Sequence, residues 1–96
     1  MIIDIYDELK RLGVVEYTTE FSRDWLGMGE SYMRCLRANN RQPSARAIAR
    51  CAISLRNASE KLRLDPKSKV RAAGARLEKL AEHCMDEILR VSSDAC

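Results

Sequence analysis

Apolar residues recur at spacings of three and four along most of the chain, a pattern that predicts helices almost from end to end. Ile2, Ile5, Tyr6, Leu9 and Leu12 form the stripe of a first helix, with Asp4, Asp7, Glu8, Lys10 and Arg11 on its polar faces and Gly13 as its C-terminal cap. Thr18 or Thr19 can cap a second helix of about eight residues, in which Glu20 suits the positive first turn. Phe21, Trp25 and Leu26 face inward there, until Gly27-Met28-Gly29 breaks the pattern. A third short helix is expected over 30–38, with Tyr32 or Met33 and Leu36 inward, followed by a loop at Asn39-Asn40-Arg41-Gln42-Pro43.

Ser44 caps a fourth helix with the stripe Ile48, Cys51, Ala52, Leu55, Ala58 and Leu62. Asp65 as N-cap and Pro66 as first residue open a fifth, expected over 66–91. Its apolar positions, Val70, Ala73, Leu77, Leu80, Cys84, Ile88 and Val91, lie close to a heptad spacing. The expected architecture is all-α, a five-helix bundle in one domain: residues 1–64 form its first four helices, 65–91 an appended long helix, and 92–96 a disordered tail. The last helix would be ~39 Å long, more than four short helices cover. The stripe to about Leu80 can pack against the first and fourth helices, and Leu77, Leu80, Cys84, Ile88 and Val91 are expected to form the interface of a homodimer, the alternative being that the helix folds back over its own bundle.

Composition narrows the class. Ninety-six residues leave room for one core, and with 5% aromatics that core must be mainly aliphatic, with Trp25 expected inside it. No apolar run approaches the ~18 residues of a membrane span. The start, Met-Ile-Ile-Asp-Ile-Tyr-Asp-Glu, is acidic where a signal peptide is basic, so a cytoplasmic protein without a membrane partner is expected. Cys35, Cys51, Cys84 and Cys96 are spaced by 16, 33 and 12 residues, with no Cys-x-x-Cys pair. They read as reduced thiols, three of them facing apolar neighbours. His83 is the single histidine, which leaves a zinc set incomplete, and no glycine-rich phosphate loop or paired carboxylates occur. Neither an enzyme, a cofactor, a metal nor a small-molecule substrate is expected.

Charge is segregated more sharply than the net +3 conveys. Residues 1–30 carry three basic and seven acidic groups, residues 31–71 eleven basic and two acidic, and residues 72–96 three basic and five acidic. A basic centre between acidic flanks suits an anionic partner, and Arg34, Arg37, Arg41, Arg46 and Arg50 supply bidentate phosphate ligands within seventeen residues.

Two short helices around a glycine turn, followed by this loop and a Pro-Ser start, carry a family resemblance. The segment Phe21-Ser-Arg-Asp-Trp-Leu-Gly-Met-Gly-Glu-Ser-Tyr-Met-Arg-Cys-Leu-Arg-Ala-Asn-Asn-Arg-Gln-Pro-Ser44 resembles the lambda-repressor/Cro-like helix-turn-helix domain, with its Leu-Gly turn and Ser-Tyr opening of the recognition helix. More closely, Phe-Ser-Arg…Trp-Leu-Gly…Leu-Arg-Ala…Arg-x-Pro-Ser is similar to a small bacterial family of unknown function, which also begins with an acidic Tyr-x-x-Leu-x-x-x-Gly helix as Tyr6, Leu9 and Gly13 do here. The resemblance spans roughly residues 5–56. It implies that Glu30, Ser31, Arg34 and Cys35 open toward base edges, with Tyr32 near the backbone. Glu30, Cys35 and the turn's Gly29 depart from the family's usual choices.

The expected function is a small bacterial transcriptional regulator binding duplex DNA through Glu30, Ser31, Tyr32, Arg34, Arg37, Asn40, Arg41, Ser44, Arg46 and Arg50. The alternative is a protein-binding antiactivator or antirepressor of a mobile element, gripping another regulator with the same fold. The acidic first helix and Glu30 favour that alternative.

Overall fold

The first helix, α1 (Ile2–Arg11), turns Ile2, Ile5, Tyr6 and Leu9 into the core, as its spacing requires. It closes on Gly13, whose φ of +79° a side chain would oppose. The Val14 N–H donates to the Leu9 carbonyl at 2.9 Å and the Gly13 N–H to that of Lys10 at 3.1 Å. This closure takes the chain out of helical register after Arg11, so Leu12 is exposed rather than inward.

The computed structural model describes the backbone of residues 2–94 and the side chains of 2–90. Among the described residues there are five helices and no strand: after α1 come α2 (Thr18–Glu20), running directly into a π-helical turn (Phe21–Trp25), then α3 (Tyr32–Ala38), α4 (Ala45–Arg63) and α5 (Ser68–Asp94). No helix among them is long and apolar enough to cross a membrane.

Neither threonine caps α2. Tyr17 takes the N-cap position and Glu20 reaches back, its Oε1 accepting the Glu16 N–H at 3.0 Å. In the π-helical turn the Leu26 N–H donates to the carbonyl of Phe21, five residues back, at 3.1 Å. The wider turn alters the register of side chains four apart, so Phe21 is fully buried while Trp25, expected inside, is half-buried at the margin. The two rings stack at 6.4 Å, and Tyr6 of α1 meets Phe21 from the other side at 5.4 Å.

The tightest packing joins α4 and α5 as an antiparallel pair. Ser59 is buried and donates its hydroxyl to the Gly74 carbonyl at 2.6 Å. A Cβ placed on Gly74 would lie 2.9 Å from Arg63 Cγ and 3.1 Å from the Ser59 carbonyl oxygen. Only glycine admits that approach. Farther along, Cys51 and Cys84, both fully buried, lie beside each other.

The helix α5 begins two residues later than expected. Asp65 Oδ1 accepts the Lys67 N–H at 2.8 Å and so shapes a turn, leaving the Lys67 carbonyl to accept the first intrahelical bond from Arg71 at 3.1 Å. The helix then runs past 91, so 92–94, expected in a disordered tail, are helical; Ala95 and Cys96 lie outside the described residues. Its 27 residues span about 40 Å at 1.5 Å each, the long axis of a body measuring 43 × 29 × 17 Å.

Its apolar stripe is covered within the chain. Leu77, Leu80 and Cys84 are buried in the core shared with α1 and α4, and Ile88 is half-buried against that core. The expected homodimer surface is thus an internal one, because α1 folds back along α5 and fixes itself there through a two-pronged bond from Arg76 to Glu8 at 2.7 and 2.9 Å. The Val91 side chain lies outside the described residues. The Arg76 guanidinium holds the Glu8 carboxyl below the ordinary carboxylate range.

Two substitutions check this packing by thermal unfolding. Phe21→Ala should cost about 3–5 kcal/mol as a buried aromatic lost, and Trp25→Ala less than half of that. Gly74→Val should cost about 1–3 kcal/mol through overpacking, about 4–8 °C of melting temperature per kcal/mol in a chain of this size, while Ala75→Val on the exposed side should change little.

Candidate nucleic-acid interface

One buried hydroxyl ties the two short helices together. Ser22 donates to the Thr18 carbonyl at 2.8 Å and accepts the Met33 N–H at 3.1 Å, so the opening of α3 hangs from the middle of the preceding helix. Leu26 fills the elbow, and Gly27 turns it with a φ of +64°. A Cβ on Gly27 would sit 3.1 Å from Arg50 Cγ, which places the aliphatic stem of Arg50 over the turn.

A second tie fastens the start of α4 to the start of α3. The Ser44 N–H donates to the Tyr32 hydroxyl at 3.1 Å, while Ser44 Oγ accepts the Ala47 N–H at 3.2 Å. Between them α3 ends on Asn40, whose φ is +47°, with the Arg41 N–H reaching the Leu36 carbonyl at 3.0 Å. Tyr32 and Ser44, expected on the nucleic acid, hold the frame through these bonds, and Asn40, expected there too, does so through its left-handed backbone.

Burial of Met33 and Leu36 fixes what α3 shows outward: Arg34, Cys35, Arg37 and Ala38. Ser31 is exposed at its N-cap position without a side-chain cap bond. Two of the expected ligands are engaged elsewhere. Glu30 accepts from Arg23 at 3.2 Å, and Arg23 also grips Asp24 at 3.0 Å, which pushes the arginine up and the Asp24 carboxyl down from their ordinary pKa values. Arg37 leans toward α1, 3.7 Å from Asp7 and 5.6 Å above the Tyr6 ring.

The remaining arginines stand differently. Arg34, Arg41, Arg46 and Arg50 are exposed and, among the described residues, take part in no ion pair, whereas Arg23, Arg37, Arg63, Arg76 and Arg90 each hold a carboxylate. From Ser31 to Ser59 the chain carries six arginines and no lysine, aspartate or glutamate, so nothing local neutralises them. A cleft of about 420 Å³ between the turn and α4 is lined by Leu26, Gly27, Arg46, Ala49, Arg50 and Ile53. The rim can therefore receive an anion larger than a single oxyacid.

Other chemistry is sparse. His83 lies exposed in a cleft of about 580 Å³ between α1 and α5, among Asp4, Glu8, Arg76, Asp86, Glu87 and Arg90. No group of three metal-ligating side chains occurs among the described residues. The neighbouring Cys84 thiol and burial push the Cys51 thiol far up, away from thiolate chemistry. Cys35 is exposed on the outer side of α3, where the resemblance puts it, and is not among the thiols that face apolar neighbours.

Nothing in the apolar spacing marks Ser22, Ser59 or Gly74 as joints, since a lone serine or glycine in a helical stripe looks like tolerated dilution. A model of a family of unknown function, DUF6626, matches residues 2–95. No curated protein and no solved structure matches the chain.

Ser22→Ala leaves the buried Met33 N–H without its acceptor and should cost about 1–3 kcal/mol. Amide hydrogen exchange checks it: protection at Met33 should fall while that of the distant Cys84 amide follows only the global stability.

Proposed function

The chain belongs to that family of unknown function, and we propose that it is a small cytoplasmic transcriptional regulator binding duplex DNA through a lambda-repressor-like helix-turn-helix. The observation carrying this reading is the run of unpaired arginines around the converging starts of α3 and α4. In this reading α3 is the recognition helix. Arg34 and Ser31 reach base edges, with Arg34 suited to a guanine's O6 and N7. Arg41, Arg46 and Arg50 take phosphates on either side and set the register. The fixed turn of Ser22 and Gly27 supports this role, because a reading helix must be held rigidly to discriminate. Glu30, bound by Arg23, brings little net repulsion against phosphate.

A second reading has its own support. Beside Arg34 the outer face of α3 presents Cys35 and Ala38, which read bases poorly, and Arg37 is turned away. That face suits the grip of an antiactivator or antirepressor on another regulator.

Binding to DNA fragments across a salt series separates the two. With about three phosphate contacts the logarithm of affinity should fall with slope near −3 against the logarithm of salt concentration. Replacing Arg34, Arg41 and Arg46 together by Ala should keep helicity and abolish retention at moderate salt. Undiminished retention in the triple variant would remove this surface from the DNA reading. A wild-type chain that ignores DNA and captures a host regulator would install the second.

A further inference from the structure

We propose that the outer face of α4 and α5 is a self-association surface, on which a second copy of this chain docks about a two-fold axis. The core is closed on that side, yet Ile53 is 54% exposed, Met85 42% and Leu89 63%. Ile53 and Met85 flank a shallow cleft of about 90 Å³ bordered by Arg56 and Asn57. Apolar side chains grouped this way on a small chain mark an interface.

Charge decides the occupant. Arg56 edges the patch on the α4 side, and on α5 the exposed Glu82 stands one helical turn before Met85, on the same face by its spacing of three. Both are exposed and, among the described residues, neither takes part in an ion pair. Because α4 and α5 run antiparallel side by side, a two-fold axis parallel to them lays α4 of each copy over α5 of the other at matching height. Ile53 then meets the apolar residues of the opposite α5, and Arg56 meets Glu82 of the other copy, twice by symmetry. A uniformly acidic or basic partner would leave one of these charges opposed. The surface is distinct from the buried stripe of Leu77, Leu80 and Cys84.

The dimer's purpose rests on the DNA reading, since two recognition helices address two half-sites, but its test does not. Sedimentation equilibrium from about 1 to about 500 micromolar should show the mass rising from 10.9 kDa toward twice that value. Ile53→Asp with Met85→Asp should hold the mass at one chain with unchanged circular dichroism, the residues being exposed. Arg56→Glu alone and Glu82→Arg alone should each weaken association about tenfold, and the two together should restore it to within about threefold. A single-chain mass throughout, or a dimer indifferent to these substitutions, overturns the inference. A wild-type dimer that responds as described while ignoring DNA keeps the inference and fells the DNA reading alone.

Discussion

The close approach of α4 and α5 at Ser59 and Gly74 governs the rest of the architecture. With a hydroxyl-to-carbonyl bond of 2.6 Å and no room for a Cβ, the two long helices are drawn together far enough for Cys51 and Cys84 to meet farther along. The pair so formed has two sides. One side is covered by α1, the π-helical turn and α3, which bring Ile5, Leu9, Phe21 and Met33 into one core with Leu55 and Leu77. The other is left to solvent, which is why Ile53 and Met85 are exposed although they lie in long helices.

The same arrangement sorts the charges. Acidic α1 lies along α5, and its carboxylates meet arginines from two different helices: Asp7 meets Arg37 of α3, and Glu8 meets Arg76 of α5. Such exposed pairs contribute about 0–1 kcal/mol each, so their larger effect is on the field. They neutralise the arginines nearest α1 and leave the four around the turn and the α4 start unopposed. A charge ledger by segment identifies the basic centre, but the pairing that separates Arg37 from Arg34 is a property of the fold.

What the residues disclosed follows from which interactions are local. Helix periods, the Gly13 closure, the Ser44 cap and the loop after α3 depend on neighbours a few positions away, and each stands where its residues place it, within a residue or two. The fate of the α5 stripe depends on how many other stripes reach it. Helix length leaves the lower part of the stripe uncovered on paper, but α1 and α4 reach along α5 far enough that Cys84 is buried and Ile88 half-buried inside one chain. Trp25 was misplaced for a local reason of another kind: a π-helical turn shifts the register within five residues, and nothing in Phe-Ser-Arg-Asp-Trp signals it. In the candidate interface the arginines were legible as a run, while Tyr32, Asn40 and Ser44 turned out to hold the frame. The Tyr32 hydroxyl answers to a backbone N–H twelve residues away, which spacing cannot reveal.

The helix α4 connects the two surfaces. Its first turns carry Arg46 and Arg50 on the rim, and Ile53 and Arg56 follow on the outward patch, so about 10 Å of rigid helix separates Arg46 from Ile53. A partner seated on the patch therefore sets the position of the rim without a flexible joint between. Flexing is further opposed because α4 is tied at its start to Tyr32 and near its end to Gly74. Anything that displaces α4 along its axis must break one of these bonds, and at the buried Ser59–Gly74 joint the separated groups find little water to replace the lost partner. Rim and patch consequently move as one body, and a two-fold pairing through the patch would hold two rims at a spacing determined by helix geometry alone.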